Sequence, residues 1–244
     1  MHIRIINPNT TTTFTTGLVA AATTFAATGT LVDARSPASG TPSVESHVEE
    51  AIAAIGVMEE IVKGEQDGVN AYVIACFGDT GVAAARELTN APVVGMTEAA
   101  FFAASLVAAR FSVITLPPRT RIHTERVLRE TGMSERCAAV RAIDVPVLDL
   151  EDEEEAIGVA FLEAARHALD EDHAEAIVLG CAGLTNLVEP LTRELGVPVI
   201  DGVMAGLKMA EGLVMLGLGT SKRSSFAYPP AKNLTGPFST LLKG

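Results

Sequence analysis

Two cysteines of this chain share a context. Tyr72-Val73-Ile74-Ala75-Cys76-Phe77-Gly78-Asp79-Thr80 and Ala176-Ile177-Val178-Leu179-Gly180-Cys181-Ala182-Gly183-Leu184-Thr185 each run from a buried-strand pattern into Cys-x-Gly-x-Thr. A cysteine acts as a base or nucleophile only as the thiolate. The junction between a strand and a helix suits that form, because a helix N-terminus offers unpaired N–H groups and partial positive charge. The thiol pKa of at least one of Cys76 and Cys181 is therefore expected to fall below its ordinary value. Gly78 and Gly183 let the backbone approach a ligand. Thr80 and Thr185 can cap the next helix or hydrogen-bond a substrate. A single cysteine at a strand end most often serves as a small buried hydrophobe. Packing does not require the same Cys, Gly and Thr twice, so the pair reads as chemistry. Cys137 lacks the context and reads as structural or incidental.

Two acid–base groups on opposite sides of one carbon can take a proton from one face and return one to the other, which inverts a stereocentre. A single thiolate beside a carbonyl would instead support hydrolysis or decarboxylation. Proton loss next to a carbonyl leaves an enolate, which preorganised N–H groups stabilise in a site poor in water. The glycine turns after both cysteines and the loop Asn7-Pro8-Asn9-Thr10 can supply such donors. Asn9 and Ser43 each read as a substrate contact or as a helix cap.

The elements that position these residues repeat. Strand patterns lie at Ile3–Ile6, Ala71–Ala75, Val93–Gly95, Phe111–Leu116, Ala176–Leu179 and Val197–Ile200. They are continuous apolar runs, as expected of strands covered on both faces. Helix patterns fall near 10–27, 45–63, 80–89, 97–109, 120–131, 151–170, 185–195 and 202–216. Such alternation predicts an α/β fold with mostly parallel sheets. Each cysteine is followed by a Pro-Val-Val or Pro-Val-Ile strand, 16 residues on (76 to 92) in one half and 17 on (181 to 198) in the other. Each is preceded by a strand ending in proline, 68 residues back (Pro8) and 64 back (Pro117). Four landmarks in one order predict two pseudo-symmetric lobes, 1–105 and 106–205. The closing helix 202–217 returns to the first lobe, and a tail spans 218–244. If the lobes face each other across a pseudo-twofold axis, so do Cys76 and Cys181, and the site lies between the lobes. The tail is rich in Ser, Pro and Gly and reads as a surface arm, or as a segment docked on the body or on a neighbouring subunit.

Composition narrows the function. The 244 residues are 48% hydrophobic and 20% charged, enough apolar content for a packed core. Eighteen basic against 30 acidic residues give a formal charge of −12, with no basic stripe for nucleic acid. Three cysteines make neither a disulfide framework nor a Cys-x-x-Cys zinc site, which points to a reducing cytoplasm. The N-terminus enters a strand at once and does not read as a signal peptide. The apolar stretch Val203–Leu218 carries Lys208 and Glu211 and is too short to span a bilayer. No Gly-x-Gly-x-x-Gly or Walker-type motif appears, and Lys208 has no Schiff-base context, so no cofactor is expected. The run Glu151-Asp152-Glu153-Glu154-Glu155 reads as an acidic first helical turn rather than a metal site. The five histidines make no recognisable pair with a cysteine or an acid, and His47 reads as an exposed residue of an early helical turn in preference to one that lines the site.

These features resemble the Asp/Glu/hydantoin racemase superfamily, in its hydantoin and allantoin branch. The resemblance rests on Ile6-Asn7-Pro8-Asn9-Thr10, Gly40-Thr41-Pro42-Ser43-Val44-Glu45-Ser46, Ala75-Cys76-Phe77-Gly78-Asp79-Thr80-Gly81, Gly180-Cys181-Ala182-Gly183 and Val197-Pro198-Val199-Ile200-Asp201-Gly202. It implies two pseudo-symmetric α/β lobes around one site, cofactor-independent racemisation by Cys76 and Cys181, and a homo-oligomer. Ser46 stands where the family pattern often has glycine, a departure that concerns only the local loop. Asn9, Ser43, Phe77, Gly78, Thr80, Thr115, Ala182, Gly183 and Thr185 are the expected substrate contacts, and no metal is expected. The rivals are an aspartate- or glutamate-type racemase and a two-lobe protein that binds a small ligand without turnover. The first must abstract a far less acidic proton and needs anion contacts that few basic residues here could make. The second has no use for paired cysteines.

Overall fold

The structure is a computed structural model that describes residues 1–150, 154–238 and 241. The element order is β1 (His2–Ile6), α1 (Thr12–Phe25), β2 (Leu31–Arg35), α2 (His47–Gln66), β3 (Ala71–Ile74), α3 (Val82–Leu88), β4 (Val93–Gly95) and α4 (Met96–Val107), and then the same order again. The second set is β5 (Phe111–Thr115), α5 (Arg121–Glu130), β6 (Cys137–Ala142), α6 (Glu154–Asp170), β7 (Ala176–Gly180), α7 (Val188–Leu195), β8 (Val199–Asp201) and α8 (Gly202–Met215). Two all-parallel sheets result, ordered β2-β1-β3-β4 and β6-β5-β7-β8. This is the two-lobed α/β architecture that the repeat predicts.

The central strands β1, β3, β5 and β7 are buried almost throughout, in keeping with their unbroken apolar runs. The sequence reading misses β2 and β6. Both are edge strands, less buried than the central ones, and charged residues interrupt their apolar runs (Asp33 and Arg35 in β2, Arg141 in β6). β2 is also anchored by a buried charge. Arg4 of β1, 2% exposed, donates to Asp33 of β2 at 2.7 Å and pairs with Asp67 at 2.9 Å.

Each sheet is covered on one face by two of its own helices, α2 and α3 on the first and α6 and α7 on the second. The other faces are shared. α1 and α8 pack on the first sheet, burying Leu18, Ala22, Val203 and Leu207 against Ile3, Ile5 and Val73. α5 and α4 pack on the second, burying Val127, Leu128, Phe101 and Ala104 against Phe111, Val113 and Val178. The last helix of each set thus crosses to the sheet of the other, and α4 and α8 also pack together. The first part of the tail docks on the body. Thr220 N donates to Asn90 O at 2.8 Å, Lys222 Nζ donates to Arg86 O at 2.5 Å, and Arg86 lies over the Phe226 ring. The acidic run lies mostly outside the described residues, which resume at Glu154.

Candidate active site

Parallel strands deliver their C-terminal ends to one edge of a sheet, and ligands bind there. Ile6 pairs with Ile74 and Thr115 with Gly180, so the loop after β1 lies beside Cys76 and the end of β5 beside Cys181. Both cysteines line one cavity of about 520 Å³ between the lobes. Asn7, Asn9, Phe77, Thr115, Thr120, Ala182, Gly183 and Thr185 line it as well. Among the expected contacts, Ser43, Gly78 and Thr80 are not in the lining. Ser43 is buried, and its neighbour Val44 reaches the cavity instead. The cap of α2 is Ser46, which accepts from Glu49 N at 3.3 Å, so the serine at the family's glycine position has a local structural role.

The two cysteine turns differ in what holds the sulfur. Cys181 directly precedes a 3-10 segment, Ala182–Leu187, and the N–H groups of Ala182 and Gly183 favour its thiolate. Burial dominates nonetheless and pushes the Cys181 thiol up to about 11. Cys76 sits six residues before the first residue of α3, whose cap is Gly81, so it is not at the N-terminus of that helix. Its partner is the Thr80 hydroxyl at 3.3 Å. Burial, helped by the neighbouring charges of Cys181, Glu50 and Asp79, pushes the Cys76 thiol up to about 12. The expected lowering of a thiol pKa is therefore overturned. Desolvation of a thiolate in the cleft outweighs the N–H groups at Cys181, and at Cys76 it is opposed chiefly by the Thr80 hydroxyl. Cys137 is likewise raised by burial, to about 12, and its Sγ contacts Ala139 O at 3.3 Å in β6.

The threonines also take different parts. Thr80 is buried and holds Cys76, whereas Thr185 donates to Asp201 Oδ2 at 2.5 Å. Asp201 caps α8 through Val203 N at 2.6 Å and Met204 N at 3.0 Å. In the first lobe the corresponding position is Gly95, and the carboxylate comes from Asp79 instead. Asp79 accepts from Thr97 N at 2.8 Å and Glu98 N at 2.9 Å at the start of α4. A Cβ on Gly95 would fall 2.3 Å from the Asp79 carboxyl carbon, so a side chain there is excluded. Asp79 takes up φ 54°, and burial beside Glu98 raises its carboxyl to about 7. Asn9 realises the Asx turn, its Oδ1 accepting from Thr11 N and from Asn7 Nδ2 at 2.9 Å each, and it lines the cavity too. Thr115 is tied to Gly180 O and to the Thr120 hydroxyl, both at 3.2 Å.

Two groups escape sequence reading. The first is the apolar wall of the cavity, where Phe14, Gly17, Leu18, Ala21 and Phe25 share one side of α1 and face the Cys181 turn and Leu150. Their spacing is that of a core-facing helix stripe, which is how it reads without a fold. The second is polar. His123 Nδ1 lies 3.1 Å from Glu50 Oε2, correcting the expectation that no histidine pairs with an acid. Arg126 grips the same carboxylate at 3.0 and 2.5 Å, and against desolvation the hydrogen bonds from His123 and Arg126 hold its pKa down to about 2. The partners lie 76 residues apart in sequence, so no local signal joins them. His47 is 72% exposed and lies near this group, outside the cavity lining. His47, Glu50 and His123 are the one trio of metal-type ligands within reach of one another among the described residues. Arg126 already occupies both Glu50 oxygens, so the group fits a cation poorly.

The comparisons agree with this geometry. The family model described as Asp/Glu/Hydantoin racemase matches residues 3–210. A hydantoin racemase of Pseudomonas sp. (strain NS671) is 47% identical over 97% of this chain and 95% of its own length. The solved allantoin racemase of Klebsiella pneumoniae superposes with a TM-score of 0.97 at 49% identity, covering 99% of each chain. That of Pseudomonas fluorescens superposes with a TM-score of 0.94 at 39% identity, over 97% of this chain and 100% of its own. Two matched cysteines closing on one cavity, in a chain alike from end to end, identify an enzyme that belongs to the Asp/Glu/hydantoin racemase family.

Proposed function

We propose that this chain racemises 5-substituted hydantoins without a cofactor, with Cys76 and Cys181 as the two bases. The observation that carries the reading is the placement of both thiols at matched strand ends on one cavity. In each turnover one cysteine, as thiolate, takes the C5 proton, and the electron pair passes into the adjacent carbonyl as an enolate. The other, as thiol, delivers its proton to the opposite face of C5. The first cysteine ends as thiol and the second as thiolate, set for the reverse direction. The Cys181 turn, which lines the cavity through Ala182 and Gly183, is the candidate source of backbone N–H groups for the developing negative charge. At neutral pH the resting thiols are protonated, so activity rises with pH as one thiolate becomes populated. A thiolate whose conjugate acid is this weak is also a correspondingly strong base.

The ring takes the polar end of the cavity, near Asn7, Asn9 and Thr115, and the 5-substituent lies along α1. Phe14, Leu18, Ala21 and Leu150 favour hydrocarbon or aromatic substituents, since a ureido group loses water there. Allantoin is the second reading, favoured by Thr13, Thr24 and Asn186 in the same lining. We assign the protein to the cytoplasm as a homo-oligomer without nucleic-acid or membrane partners. The −12 charge with no basic stripe disfavours nucleic acid, and no helix among the described residues is long and apolar enough to cross a membrane.

The test is to mix the purified protein, after exhaustive chelation, with single enantiomers of alkyl- and aryl-hydantoins, allantoin, aspartate and glutamate. The expected result is loss of optical rotation for the hydantoins. Turnover of the free amino acids alone, or binding without turnover, overturns the reading.

A further inference from the structure

The turn after Cys76 is held from both lobes. Gly78 is fixed on both sides of its peptide, its N–H donating to Thr97 Oγ1 at 2.8 Å and its carbonyl accepting from Arg126 Nη2 at 2.6 Å. Thr97 belongs to α4 and Arg126 to α5. Gly78 has φ 127°, a conformation side chains rarely adopt, and a Cβ there would meet His123 Cβ at 3.0 Å. Arg126 is in turn aimed by Glu50 of α2, which accepts two of its N–H groups and stands 3.1 Å from His123. A planar guanidinium with donors in a fixed fork suits this work, since it can bridge a carboxylate and a carbonyl at once. The turn after Cys181 is flanked differently. The nearest side chains to a Cβ on Gly183 are Leu150 at 3.3 Å and Phe14 at 4.0 Å, both apolar.

We infer that Arg126, aimed by Glu50, is a positioning residue for Cys76 alone. It spans from the second lobe to the carbonyl two residues past the sulfur, and so sets where the Cys76 thiol stands relative to the C5 proton. Neither Arg126 nor Glu50 lines the cavity, so they act through the turn and not on the substrate. The bridge joins α2 and α5, which ties the alignment of Cys76 to the packing of one lobe against the other. This inference rests on the two-thiol reading above.

The experiment follows C5–H exchange in heavy water separately for the two enantiomers of one alkyl-hydantoin, with uncatalysed exchange subtracted. Cys76→Ser identifies the enantiomer that Cys76 serves. Arg126→Ala is expected to slow exchange of that enantiomer by about 10–100-fold, the scale set by small misplacements of a reacting group. Exchange of the other enantiomer stays within about twofold, which also reports that the variant is folded. Arg126→Lys, keeping a donor but not the fork, is expected to fall between wild type and Arg126→Ala. Glu50→Gln separates positioning from charge. Removing a negative charge near Cys76 favours its thiolate and would speed exchange if Glu50 acted through its field. A role in aiming Arg126 slows exchange instead, and slowing is expected. Equal loss for both enantiomers in Arg126→Ala, or faster exchange in Glu50→Gln, overturns the inference and leaves the racemase reading intact. Wild-type protein that exchanges neither enantiomer overturns the racemase reading itself.

Discussion

The turn after Cys181 and the turn after Cys76 occupy matching places, at the ends of β7 and β3. The first helix of the opposite lobe covers each of them. Over Cys181 that helix is α1, which presents Phe14, Gly17 and Ala21 and leaves the cavity open. Over Cys76 it is α5, which presents His123 and Arg126, and these with Glu50 fill the corresponding space. The sulfurs differ to match. Backbone N–H groups favour the thiolate at Cys181 against Glu45 and Asp201, while at Cys76 a threonine hydroxyl does so against Cys181, Glu50 and Asp79. A repeated fold thus places two thiols symmetrically, and side chains contributed by the other lobe make the half-sites unequal. That inequality is what a racemase needs, because its two substrates present the 5-substituent and the proton differently to the same pair of bases.

The sharpest break of the comparison is at the sulfurs. Cys76→Ser and Cys181→Ser should each lower racemisation by about 10²-fold or more, the scale of a lost general base. Each should still exchange the C5 proton of one enantiomer, and a different one, as followed by proton NMR in heavy water. Loss of both exchanges in both variants would make the half-sites a single unit.

The open half is probed at Gly17, where an added Cβ meets nothing within 4 Å. Gly17→Leu should raise KM for a benzyl-substituted hydantoin about tenfold, as about 1.4 kcal/mol of lost binding would do, and leave the methyl-substituted one within about twofold. Thermal melts should show the variant more stable by up to about 1 kcal/mol, because glycine is replaced inside a helix.

Alkylation by iodoacetamide compares the sulfurs directly. Labelling of both should keep rising past pH 9, with Cys181 severalfold ahead of Cys76, since burial raises both thiols and N–H groups offset it at Cys181. A plateau below pH 8 at either site would contradict the dominance of desolvation.

The smallest expected effect on activity is at the two threonines. Thr80→Val should slow exchange on the Cys76 side by about fivefold, the worth of one hydrogen bond of about 1 kcal/mol. Thr185→Val should act on stability instead, costing about 1–3 kcal/mol by leaving the Asp201 carboxylate short of a donor. Burial already raises the Asp201 pKa above its unfolded value, so the carboxyl favours the folded protein most when protonated. Stability from this group is full below the unfolded pKa and falls as pH rises toward the folded one. The deficit of Thr185→Val should therefore shrink in acid, which urea unfolding at pH 4 and pH 7 would measure.

Much of this was legible from residue order. The buried strands β1, β3, β5 and β7 carry unbroken apolar runs, and the paired Cys-x-Gly-x-Thr segments expose the duplication and both thiols. Sequence therefore determined the α/β class, the lobes' common order and the cysteine pair, because burial and strand-to-helix turns leave local patterns. Tertiary structure decided the rest. The edge strands β2 and β6 are strands only because a neighbour pairs with them. The Asp79 carboxylate takes the place that Asp201 fills in the other lobe, and only the packing of α4 against the β3 turn reveals it. Glu50 meets His123 and Arg126 across the lobe boundary, and Phe14 and Leu150 both flank Gly183. The sign of the thiol shifts also depended on the whole cleft. A helix N-terminus is a local feature that sequence announces, but desolvation sums over every group that excludes water, and it is the larger effect here.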